Sequence, residues 1–253
     1  MNLFKDIQIL FKRSFIQTLR NPVWLAVGLS TPLLYLALFT PLLQKLAGGP
    51  GFPTSNVLDV FLPGILAFLA FGSGTGEGYQ TIFELRDGLT ERFRVTPASR
   101  YALLITPVLA DIAWLFIFNA ILIAIAKLFG FDIHIAGLLV CFVLTASLLI
   151  ITGTFSVALA LLTKEISGFA AVISGINLPI LLLSGVLLPL TLAPTWMLVI
   201  AHFNPLYYVV EANRLLAAGN IANATVGLAF LVMVALTAVT IWWATRVYRK
   251  AVA

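Results

Sequence analysis

The stretch Gly137–Thr163 contains no charged side chain, and five other stretches of the chain come close to it. A helix of about 20 apolar residues crosses a hydrocarbon core of about 30 Å. Inside a bilayer each backbone N–H and C=O has to find its partner within the segment, which is what a helix provides. Six spans are expected: Val23–Leu43, Leu58–Phe83, Tyr101–Phe129, Gly137–Thr163, Gly168–Leu188 and Ala224–Thr245. Composition agrees, with 61% hydrophobic residues, 10% charged residues and a mean hydropathy of +1.06. A soluble domain carries about 25% charged residues, so a chain this apolar belongs in a membrane. The expectation is a single all-α integral membrane domain over residues 1–253.

The net charge of +5 would suit a nucleic-acid binder only if the basic groups shared one face, and they do not. They follow membrane topology instead. With six spans, the N-terminus, residues 84–100, the Lys164–Glu165 turn and the C-terminus share one side. Of the 15 basic residues, only Lys45, Lys127 and Arg214 fall on the other side. The positive-inside rule therefore places both termini and the 84–100 stretch in the cytoplasm.

The stretch from Glu84 to Arg100 is where charge concentrates, with Glu84, Arg86, Asp87, Glu91, Arg92, Arg94 and Arg100. Leu85, Leu89 and Phe93 recur every four residues, so a helix here has an apolar stripe and a charged face. Thr96 and Pro97 then read as a fresh helix start, with Thr as N-cap and Pro at N1. This stretch is either a solvated loop between spans or a cytoplasmic docking element for a partner. At the N-terminus, Leu3, Ile7, Leu10, Phe11, Ser14 and Phe15 mark one helical face opposite Lys5, Lys12 and Arg13. Residues 1–22 thus read as an interfacial amphipathic helix rather than a cleavable signal.

Residues 189–223 do not read as a simple loop. Trp196–Phe203 is too short to span, Asn204-Pro205 breaks it, and Leu206–Ala218 reads as a second short helix. Two short helices on the outer side suggest a re-entrant hairpin, against the alternative of an amphipathic helix on the outer surface. Glu211 and Arg214 are three apart and positioned to pair.

Catalytic signatures are absent. No Gly-Lys pair occurs, so the chain cannot form a P-loop of its own, and there is no H-E-x-x-H, C-x-x-C or G-x-S-x-G. Cys141 is alone, and His134 and His202 have no partner at metal-ligand spacing. Two acids, Glu77 and Asp111, lie inside spans in the cytoplasmic half. They read either as a polar patch on a transport pathway or as structural hydrogen-bonding groups. Gly72, Gly74, Gly76 and Gly78 make two interleaved G-x-x-x-G pairs, which permit close helix approach. Trp24, Trp196, Trp242 and Trp243 fall near span ends as interfacial anchors, and Trp114 lies deeper.

At this point the chain resembles the type-2 ABC transporter permeases. Glu84, Arg86, Gly88, Thr90 and the run Arg94-Val-Thr-Pro-Ala-Ser-Arg100 are similar to that family's charged segment ending in T-P-x-S-R. Pro194, Trp196, Asn204-Pro205-Leu206, Tyr208, Glu211 and Arg214 resemble its outer P-x-W … N-P-L-x-Y … R segment. Among subfamilies it looks most like the daunorubicin-type drug-export permeases. The resemblance implies a homodimer, or a pair with a sister permease, in the plasma (inner) membrane. It implies a separate P-loop ATPase that holds ATP and Mg and docks on an 84–100 coupling helix through Arg86, Asp87, Glu91, Arg92 and Arg94. It also implies outward movement of a drug or an amphipathic or lipid-like substrate, with the second and fifth spans lining the path and no cofactor or catalytic site on this chain. The alternatives are a polysaccharide or teichoic-acid exporter permease, an ATP-independent secondary transporter, a channel, or a membrane-anchored scaffold.

Overall fold

The computed structural model describes residues 3–44, 57–86, 100–187 and 189–252. Among these every regular element is helical. The elements are α1 (Leu3–Leu19), α2 (Pro22–Leu43), α3 (Val57–Arg86), α4 (Arg100–Leu128), α5 (Ile135–Thr163) and α6 (Ile166–Leu182). A 3-10 turn (Leu190–Leu192), α7 (Thr195–Ala201), α8 (Pro205–Ala217) and α9 (Ala224–Val252) follow.

Five helices, α2, α3, α4, α5 and α9, are long and apolar enough to cross a membrane. The expected fifth span, Gly168–Leu188, is shorter as a helix. α6 has 17 residues, about 25 Å at 1.5 Å per residue, less than the hydrocarbon thickness of about 30 Å. Its end has a local cause. Ser184 turns its hydroxyl back to the Leu181 carbonyl at 2.6 Å and accepts the Val186 N–H at 3.3 Å. Gly185 then takes φ +77°, which glycine adopts without a Cβ penalty. α4 is described from Arg100 onward, and the expected Thr96-Pro97 cap lies with the rest of residues 87–99 outside the described residues.

α3 is the hub. From Val57 to Phe71 it is buried on nearly all sides, as expected of a helix that is apolar all round. It packs against α2, α4, α5, α6 and α8. α5 runs parallel to it: a Cβ on Gly74 would meet Leu149 and Gly153, and one on Gly78 would meet Ser156. α9 packs on α5 and α8, with Trp243 stacked on Phe155 at 5.6 Å. At the Arg86 end of α3, Leu85 packs onto Leu161 and Val247. α1 packs against α4, where Phe15 stacks on Trp114 at 4.6 Å. The deep tryptophan therefore anchors the N-terminal helix. Trp242 and Trp196 stay exposed, and the Arg246 guanidinium sits 4.0 Å over the Trp242 ring.

Candidate functional site

At the Val57 end of α3 lies α8, separated from the preceding short helix α7 by a break that Asn204-Pro205 sets. Asn204 takes an extended conformation, and its Oδ1 accepts the Leu206 N–H at 3.0 Å, with Pro205 at the first helical position. This is the side-chain cap the dipeptide favours. The Asn204 Nδ2 donates to the Ile180 carbonyl at 2.7 Å, so the same residue fastens α8 to the last turn of α6. α8 then buries Leu206, Val209, Val210, Asn213, Leu216 and Ala217, one stripe at helical spacing.

Arg214 extends from the edge of that stripe. Its Nε donates to the Val60 carbonyl of α3 at 3.0 Å, and its Nη2 donates to the Gly185 carbonyl in the turn after α6. Its Nη1 pairs with Glu211 Oε1 at 2.6 Å. The side chain is only 10% exposed. Burial pulls the guanidinium below the usual arginine value, and Glu211 acts in the opposite direction. A buried cation is tolerated only when its donors are satisfied, and here three acceptors meet three nitrogens. Next to it, Asn213 is fully buried and donates to the Pro63 carbonyl at 3.4 Å. The Tyr208 hydroxyl donates to the His202 carbonyl at 2.9 Å, across the break between α7 and α8. His134 Nδ1 donates to the Ala217 carbonyl at 2.9 Å, near the α8 C-terminus.

A second polar cluster lies toward the Arg86 end. Glu77 on α3 and Asp111 on α4 place their carboxyl groups close enough to interact across the two helices. Both are half-buried. Glu77 also faces the glycine surface of α5, since a Cβ added at Gly153 would lie 3.6 Å from its Cγ. One turn away, the Gly78 N–H donates to Ser156 Oγ at 3.0 Å, and that hydroxyl donates to the Thr75 carbonyl at 2.8 Å. Gly74 and Gly78 thus face α5, whereas a Cβ on Gly72 or Gly76 would meet nothing within 4 Å.

The sequence-predicted residues therefore fall in three places. Asn204, Pro205, Tyr208, Glu211 and Arg214 lie on α8 or at its N-cap, and Glu77 and Asp111 approach each other across α3 and α4. Of the docking set, Arg86 closes α3 and is exposed, while Asp87, Glu91, Arg92 and Arg94 lie outside the described residues. Sequence reasoning missed Asn213 and Ser156. Asn213 carried a signal, since it sits four residues from Val209 and Ala217 on the apolar face of α8. Thr152 and Ser156 form a small-x-x-x-small pair on α5 that matches Gly74 and Gly78.

Residues 5–217 match the family model described as ABC-2 type transporter. Among curated relatives, ycf38 of Cyanophora paradoxa, named as a transport permease, is 35% identical over 84% of this chain and 74% of its own length. The protein of the same name from Porphyra purpurea is 30% identical over 84% of this chain and 74% of its length. A daunorubicin resistance ABC transporter permease protein of Streptomyces coeruleorubidus is 28% identical over 90% of this chain and 81% of its length. With its long apolar helices and a match across most of its length, this multi-pass membrane protein belongs to the ABC-2 type transporter family.

Proposed function

We propose that this chain is the permease subunit of an ATP-binding-cassette exporter that moves a drug or an amphipathic or lipid-like substrate outward. The observation that carries the reading is the family match over residues 5–217 in a chain with no Gly-Lys pair and hence no P-loop. ABC-2 permeases work with a separate ATPase, and ATP with its magnesium binds on that partner. The daunorubicin-resistance relative supports export and a drug-like substrate.

Two copies, or one copy and a sister permease, enclose the pathway. α3 and α6 line it in this reading. The open faces of Gly72 and Gly76 on α3, and of Gly168 and Gly175 on α6, where an added Cβ meets nothing within 4 Å, support that assignment. α6 completes a sixth crossing together with the irregular chain after Leu182. Both termini are cytoplasmic in the plasma (inner) membrane, as the basic-residue asymmetry favours. The α7–α8 hairpin then re-enters from the outer side, and α1 lies in the cytoplasmic interface. The charged 84–100 stretch, whose first three residues form the last turn of α3, is the coupling element, on which Arg86, Asp87, Glu91, Arg92 and Arg94 engage the ATPase through charge-assisted hydrogen bonds. Glu77 and Asp111 shape substrate entry at the cytoplasmic mouth.

The test is a mild-detergent pull-down of the tagged chain from its native membranes, with an Arg92→Glu/Arg94→Glu variant alongside. An ATPase subunit is expected with the parent chain and not with the variant. A parent chain that comes down alone, folded and transporting without ATP, overturns the reading.

A further inference from the structure

The outer ends of the two proposed pathway helices are joined by one side chain. Asn213 fastens α8 to α3 and Asn204 fastens α8 to α6, but Arg214 reaches both, donating to Val60 of α3 and to Gly185 after α6. We infer that Arg214 is a positioning residue that latches the outer ends of α3 and α6, and that its bonds to Val60 and Gly185 break when the path opens outward. The inference rests on the transporter reading above.

Three features suit Arg214 to this role. The guanidinium offers donors in a fixed planar fork, so one side chain spans two carbonyls on different elements, which a lysine ammonium does not reproduce. Glu211 holds the fork from its own helix at 2.6 Å, so the orientation survives when the other two bonds are lost. Both latch acceptors are neutral main-chain carbonyls, and an uncharged acceptor binds less strongly than a carboxylate. The surfaces being held together are also smooth. Gly64 presses on Val186 so closely that a Cβ would stand 2.7 Å from the Val186 carbonyl oxygen. With no side chain of residue 64 interlocked there, α3 and the turn separate without repacking at that point. The Gly185 carbonyl belongs to an irregular turn between α6 and the 3-10 helix, outside any helical hydrogen-bond ladder.

The experiment uses the chain with its ATPase subunit in membrane vesicles. Cys141, the single native cysteine, is changed to Ala, and Val186→Cys, at a site only 1% exposed, becomes the reporter for a membrane-impermeant maleimide. With Arg214 intact, labelling is expected to be slow without ATP and faster during ATP hydrolysis. In Arg214→Gln and Arg214→Lys, labelling without ATP is expected to rise roughly tenfold or more, as when bonds specific to one of two states are lost.

Arg214 variants that label as slowly as the parent overturn the latch. So does a parent complex that hydrolyses ATP without ever exposing residue 186, a result that holds even if the Arg214 variants do not fold. A parent chain that binds no ATPase overturns the transporter reading itself, and the latch with it.

Discussion

The two interleaved glycine pairs of α3 give a sharp test, because chemically identical changes two residues apart should act in opposite directions. A Cβ at Gly74 would collide with Thr152 Oγ1 and come within 2.8 Å of the Leu149 carbonyl oxygen and 2.9 Å of the Gly153 nitrogen. The last two are backbone atoms, so α3 and α5 have to separate. Overpacking of this kind costs about 1–3 kcal/mol. At Gly72 an added Cβ meets nothing within 4 Å. Alanine there keeps the packing and gains helix propensity, about 0.8–1 kcal/mol in water. The difference between Gly74→Ala and Gly72→Ala is therefore about 2–4 kcal/mol. At about 2–4 °C per kcal/mol for a chain of this size, the two midpoints should lie well apart. Thermal denaturation of the purified variants in one detergent, followed by size-exclusion chromatography, reads the order directly: Gly72→Ala at or above the parent, Gly74→Ala below it. Equal midpoints for the two would refute the parallel register of α3 and α5 from which the calculation starts. Gly72→Leu extends the test to function, since it should keep the midpoint yet reduce transport if that face lines the path.

Asn204→Ala removes the cap on Leu206 and the bond to Ile180 together. A loss of about 1–2 kcal/mol is expected, seen as a lower thermal midpoint and faster proteolysis between α7 and α8; an unchanged proteolytic pattern would contradict that bridging role. Glu77→Gln and Asp111→Asn should each lower transport at equal expression while leaving the ATPase bound, and wild-type transport in both would remove these acids from the pathway.

The helical class, the membrane setting and most helix limits were legible in the chain itself. Apolar runs of this length have one backbone solution in lipid, and the signal is local, so α2, α3, α4 and α5 match their expected spans closely. The break between α7 and α8 was equally legible, because Asn204 caps through its own side chain and Pro205 lacks the N–H that would continue a preceding helix. The end of α6 was less so. An uncharged sequence continues to Leu188, but Ser184 and Gly185 turn the backbone first, and hydropathy alone does not register that turn.

Other features needed the tertiary structure. Sequence showed two G-x-x-x-G pairs with equal claims, and only packing selected Gly74 and Gly78, by setting Thr152, Gly153 and Ser156 against them. It grouped Glu77 and Asp111 by their shared depth in the spans, and the approach of α3 to α4 made them neighbours. It paired Arg214 with Glu211, a contact within one helix turn, but gave no sign of Val60 and Gly185. Those acceptors are main-chain carbonyls, which every residue carries, so residue type could not identify them. Segment length and polarity are properties of the chain, and they determined what crosses the membrane. Which glycine is crowded, which acids meet and where a buried arginine finds its partners depend on residues far apart in sequence, and only the packed fold decided them.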